Sequence, residues 1–139
     1  MAVTALMYGQ ALKTALEGNL DTDGTWKVAL CTSSYTPNQD THTAWTDIDN
    51  EVSGTGYTAG GATLASLAVT YTAGTNVIKV DATDTTWTSS TITARYAIIY
   101  DSIKANLLGY IDFGADKTTD NGTFQITYHA SGIATITVS

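Results

Sequence analysis

Charged residues are scarce in this chain of 139 residues, at 14%, and basic residues are the scarcest, with 6 Lys and Arg against 13 Asp and Glu. A typical soluble domain carries about 25% charged residues. Binding to a phosphate backbone requires clustered Lys and Arg, and this chain has a net charge of −7. We therefore expect no nucleic-acid partner.

Cysteine and long apolar segments are also nearly missing. Cys31 is the only cysteine, which excludes an intramolecular disulfide framework and a cysteine-rich zinc site. No run of about 18 apolar residues occurs, so we expect no transmembrane helix and no membrane partner. Residues 1–20 also lack the basic start and apolar stretch of a secretory signal.

Threonine takes the place of the missing charge, with 27 residues in the chain. Threonine is β-branched and favours strands, so the surface should be neutral, rich in hydroxyls and largely built of β-structure. The length suits one domain, which we expect to span residues 1–139 and to fold without disulfides.

The apolar pattern predicts one helix followed by a series of short strands. Leu12, Ala15 and Leu16 have helical spacing, which predicts a helix over residues 9–17. A long polar loop is expected over residues 33–61. Because no helical pattern separates the strands, we expect a mainly β fold, an antiparallel β-sandwich of jelly-roll-like type with one short N-terminal α-helix. The predicted strands cover residues 26–32, 62–72, 76–82, 92–100, 107–113, 123–129 and 133–138. The strand over residues 92–100 is almost continuously apolar, so we expect it to be central and covered on both sides, with one face formed by Ile92, Ala94, Tyr96, Ile98 and Tyr100.

No pattern in the sequence indicates catalysis. Neither His42 nor His129 has a second ligand at metal-binding spacing, and no nucleophile motif or phosphate-binding lysine motif is present. The glycine-rich stretch 54–61 has no such lysine and is interpreted as a structural bend. The sequence therefore predicts a protein that is not an enzyme and that needs no cofactor or metal.

Arg95 is the only arginine, and it lies inside the most apolar predicted strand. An unpaired charge in such a strand would be strongly destabilising, so the guanidinium must reach solvent or meet a carboxylate. Asp112, in the neighbouring apolar strand, is the candidate partner. We favour a structural Arg95–Asp112 ion pair, with a subunit contact as the alternative.

Two irregular segments are candidates for a partner interface. The N-terminal segment carries Leu6, Met7 and Tyr8 and could form an arm that lies across a neighbour. The loop 33–61 carries aromatic residues of the kind enriched at interface hot spots. These residues are Tyr35, Trp45 and Tyr57. In the alternative, both segments fold back onto their own sheet.

Four segments resemble small virion proteins of tailed bacteriophages, in the same order and across nearly the whole chain. They are residues 30–42 (LCTSSYTPNQDTH), 50–61 (NEVSGTGYTAGG), 93–97 (TARYA) and 109–114 (GYIDFG). The resemblance implies a head decoration (cement) protein on the capsid surface of the virion, whose partner is the major capsid protein. It also implies a homo-oligomer, with a trimer as one option. A tail or fibre component and a carbohydrate-binding β-sandwich module remain the alternatives.

Overall fold

A computed structural model of the protein describes residues 3–18 and 25–138. Over these residues the chain forms ten strands, one α-helix and one 3-10 turn. In chain order they are β1 (Thr4–Met7), α1 (Ala11–Leu16), β2 (Trp26–Cys31), the 3-10 turn (Trp45–Asp47), β3 (Ala62–Thr63), β4 (Ala68–Thr72), β5 (Val77–Asp81), β6 (Thr85–Ser90), β7 (Thr93–Asp101), β8 (Leu107–Thr118), β9 (Gly122–Ile126) and β10 (Ala134–Thr137).

All the strand pairings are antiparallel, which confirms the predicted mainly β fold with one short helix. A five-stranded sheet has the order β1-β8-β7-β2-β3. A three-stranded sheet, β10-β5-β4, and a two-stranded sheet, β6-β9, make up the rest. Side chains of the five-stranded and two-stranded sheets meet in the main core, and Val80 of the three-stranded sheet packs against it.

The alternation of side chains in β2 explains why the five-stranded sheet is covered on both faces. Val28 and Leu30 belong to the main core, whereas Ala29 and Cys31 belong to a second cluster on the opposite face. Successive side chains of a strand point to opposite faces, so both faces must be shielded from water. The loop 33–61 supplies part of the second cover, because Tyr35 lies in the second cluster.

Strand β7 is central and buried, as predicted, but its alternation is interrupted. We expected Ala94 to share a face with Tyr96 and Ile98, whereas Ala94 lies in the main core and Ile98 in the second cluster. The register against β8 shifts between Ala94 and Tyr96, which marks a bulge. Between these two pairs β7 has one residue, Arg95, whereas β8 has four, residues 113–116. This irregularity twists the ladder, so that β7 presents opposite faces before and after Arg95.

Three element predictions are wrong in detail. Strand β1 was expected to be irregular, and β6 was not predicted because Trp87 is its only large apolar residue. Residues 62–72 form two strands, separated by a turn in which Ser66 has a positive φ of 54°.

No helix within residues 3–18 and 25–138 is long and apolar enough to cross a membrane.

Candidate interaction surface

The N-terminal segment is an edge strand of its own sheet. Residues of β1 pair with β8 from Thr4 opposite Asp112 to Met7 opposite Gly109, so this segment does not form the free arm that we expected. Pairing satisfies backbone groups that an isolated arm would leave to water. Leu6 stays exposed, Met7 is half-buried and Tyr8 is buried, with 2% of its surface exposed.

Tyr35, predicted as an interface residue, is instead an internal anchor of the loop. Only 1% of its surface is exposed, and its hydroxyl lies 2.7 Å from that of Tyr8 and 2.9 Å from Nδ1 of His42. Burial raises the pKa of Tyr35 to about 12 and raises that of Tyr8 further. The prediction that Tyr8 and Tyr35 contact a partner is therefore wrong. The loop folds back onto the sheet, and the two tyrosines bury each other.

Tyr57 and Trp45 also contact their own chain. The hydroxyl of Tyr57 donates to Glu51 Oε1 at 2.7 Å and accepts from the Leu30 amide at 2.9 Å. The ring of Trp45 stacks on Tyr100, with centroids 4.2 Å apart and planes 13° apart. Both aromatic rings are half-buried, so they hold the loop in place and leave only part of their surface to solvent.

The predicted Arg95–Asp112 ion pair is present. Arg95 Nε donates to Asp112 Oδ1 at 2.6 Å, and the same oxygen accepts from the Gly114 amide at 2.8 Å. The guanidinium hydrogen bond lowers the pKa of Asp112 below its ordinary value. The pair joins β7 to β8 at the bulge and holds the bulged segment in place. The side chains of Arg95 and Asp112 are 22% and 26% exposed.

An apolar groove open to solvent lies between α1 and the three-stranded sheet, with a volume of about 350 Å³. Ala11 and Ala15 face the protein, so Leu12 and Leu16 remain 46% and 81% exposed, contrary to the predicted apolar helix face. The sheet side of the groove is apolar because residues opposite one another in register share a face. That face carries Val69, Tyr71, Ile78, Val80, Ala134 and Ile136.

Sequence reasoning missed this groove because its residues have the same spacing as core residues. Leu12 and Leu16 have the period of a buried helix face, and Val69 and Tyr71 have that of a buried strand face. One signal was available: the chain carries no charge from Leu64 to Ile78. Exposed apolar patches with little charge are typical of interaction sites.

Within the described ranges, no cluster of three or more His, Cys, Asp and Glu side chains could hold a metal ion. Asp101 is fully buried, and its Oδ1 accepts from the amides of Ile103 and Lys104 at 2.8 and 3.2 Å, which fixes the turn after β7.

Comparison with known proteins finds no matching family model, no matching curated protein and no matching solved structure. The candidate site is the apolar groove between α1 and the three-stranded sheet.

Proposed function

We propose that this protein is a head decoration (cement) protein of a tailed bacteriophage, which binds the outer capsid surface and stabilises contacts between capsomers. The observation that carries the proposal is the open apolar groove, which is lined in part by the exposed side chains of Leu12 and Val69. Leu16 on the same helix and Tyr71 on the same sheet face are also exposed. The resemblance of four segments to phage virion proteins supplies the phage context. The partner is the major capsid protein, and the work done is binding rather than catalysis.

The physical properties of the chain support this role. A cement protein must stay soluble in solution and then bury surface on the capsid. A net charge of −7 opposes aggregation of the free protein. The groove itself is almost purely apolar, so covering it requires little desolvation of polar groups.

The aromatic residues give less support to a carbohydrate-binding module. Such a module presents aromatic rings as a flat platform, whereas Trp26 and Trp87 are buried and Trp45 stacks on Tyr100. A tail or fibre component would use the same kind of groove. Its location on the particle, rather than its chemistry, separates that alternative from a cement protein.

The test is binding of the purified protein to undecorated phage heads, with electron microscopy of the resulting particles. The variant Leu12→Ser/Leu16→Ser changes only exposed apolar side chains of α1, and we expect its affinity for heads to fall by about tenfold or more. The control Ile103→Ser changes a side chain that does not line the groove and whose exposure, 71%, lies between those of Leu12 and Leu16, so this variant should bind like wild type. Equal decoration by both variants, or density on the tail alone, would refute the proposal.

A further inference from the structure

Among residues 3–18 and 25–138, no strand covers the outer edge of the three-stranded sheet. Strand β4 (Ala68–Thr72) is the last strand in the order β10-β5-β4 and, within those residues, pairs with β5 alone. All five of its residues are exposed. In an antiparallel pair, every second residue directs its N–H and C=O away from the partner strand. Strand β4 therefore presents unpaired backbone donors and acceptors along its free side.

This edge lacks the features by which proteins prevent unwanted strand pairing. Such features are charged residues, prolines and bulges on the edge strand. Strand β4 has the sequence AVTYT, which contains neither charge nor proline, and its register with β5 runs without a shift from Ala68 to Thr72. Val, Thr and Tyr are also residues that favour β-structure. The edge is suited to accept another strand.

The electrostatics of this region favour a second copy of the chain as that strand. The whole chain carries −7, which opposes self-association through most of its surface. Around the edge, however, residues 64–83 contain only two charged side chains, Lys79 and Asp81, and these pair at 3.2 Å. The β4 edge is therefore a neutral part of a strongly acidic protein.

We propose that β4 pairs with β4 of a second copy to form a two-fold symmetric dimer, antiparallel and centred on Thr70. In this register Ala68 lies opposite Thr72, and Val69 lies opposite Tyr71 of the other copy. The two-fold axis passes between the two Thr70 residues, so Thr70 lies opposite Thr70. Backbone hydrogen bonds can then form in either case, whether the N–H and C=O groups of Thr70 or those of Val69 and Tyr71 point to the second copy. The interface is isologous, as in most homodimers.

The side chains are complementary in this register. Val69 and Tyr71 share one face of their sheet, so the two symmetric contacts each join a β-branched residue to an aromatic ring. The hydroxyl of Tyr71 donates to Asn76 Oδ1 at 2.9 Å, which orders the ring before association. The two three-stranded sheets become one six-stranded sheet, and their apolar faces become continuous. This association concerns the free protein and does not depend on binding to capsids.

Cross-linking tests the register directly. Cys31 is fully buried, so a cysteine introduced on β4 is the reactive thiol. In Thr70→Cys the two Cα atoms lie about 5 Å apart across the two-fold axis, within disulfide range. In the matched variant Thr72→Cys they lie about 14 Å apart, beyond that range. Under mild air oxidation with a copper catalyst, we expect Thr70→Cys to form covalent dimers at least about tenfold faster than Thr72→Cys.

Sedimentation velocity of the reduced proteins gives the second measurement. Tyr71→Lys places charge next to the centre of the interface and should weaken the dimer by about tenfold or more. The control Ile103→Lys introduces the same side chain at an exposed residue of the turn between β7 and β8, outside the β4 edge, and should not weaken it. Three outcomes would overturn the proposal. These are a wild type that stays monomeric at high concentration, equal cross-linking of the two cysteine variants, and a dimer that withstands Tyr71→Lys because it forms elsewhere, for example at the β1 edge.

Discussion

Replacing Tyr35 by Phe removes one oxygen atom from the interior and tests whether the loop 33–61 is packed as described. The hydroxyl of Tyr8 is buried and bonds to Tyr35 at 2.7 Å, and it has no other hydrogen-bond partner among residues 3–18 and 25–138. In Tyr35→Phe that buried hydroxyl loses its partner. A buried polar group left unsatisfied costs about 1–3 kcal/mol, so the free energy of unfolding should fall by about that amount.

Urea denaturation followed by tryptophan fluorescence measures this change, because a constant m-value allows the midpoints to be compared. In Tyr8→Phe/Tyr35→Phe neither hydroxyl remains to be left unsatisfied, so the double variant should be less destabilised than the sum of the single variants. The control is Tyr71→Phe, whose hydroxyl is on an exposed residue and should change stability by less than about 0.5 kcal/mol. If Tyr35→Phe behaves like Tyr71→Phe, the packing of the loop on the sheet is refuted.

Three further predictions concern the glycine bend, the cysteine and the ion pair. Gly61 has a φ of +79°, and a Cβ there would meet the Val28 carbonyl oxygen. Gly61→Ala should therefore lower the free energy of unfolding by about 3 kcal/mol. The control Gly74→Ala has open space around it and should be nearly neutral in the same urea titration. Cys31 is fully buried, and burial raises the pKa of its thiol to about 12. A thiol reagent at neutral pH should therefore label Cys31 only as fast as the protein unfolds. Rapid labelling of the native state would contradict the buried position of Cys31. Arg95 lowers the pKa of Asp112, so this carboxylate stabilises the fold above the unfolded-state pKa of about 3.9 and loses that contribution as the pH falls further. Wild type should therefore lose more stability than Asp112→Asn on acidification below about pH 4, and parallel losses in thermal melts would show that the pair does not act in this way.

The sequence by itself determined the elements whose signal is local. Trp26, Val28 and Leu30 alternate with residues of the opposite face, and β2 begins at Trp26 as that pattern requires. The continuous apolar run around Ile98 similarly indicated a central strand covered on both sides. Arg95 was informative because a charge in such a strand needs a partner, and the nearest apolar strand held one carboxylate, Asp112.

The sequence could not determine where the bulge falls. One period-two pattern through residues 92–100 predicted a single face, but the shift between Ala94 and Tyr96 divides it. The bulge depends on how β8 pairs with β7 and on the Asp112 contact with the Gly114 amide. Neither feature leaves a trace in the alternation of β7 itself.

The tertiary structure alone decided which apolar residues are covered. Tyr8 and Tyr35 are 27 positions apart in the sequence and bury each other, whereas Leu16 has a typical core spacing and is left in solvent. A periodic pattern fixes the face to which a side chain belongs, but the segment that covers that face arrives from a distant part of the chain. Burial therefore depends on long-range packing, and for this reason Tyr35 of the loop is buried whereas Leu12 and Leu16 of α1 are exposed.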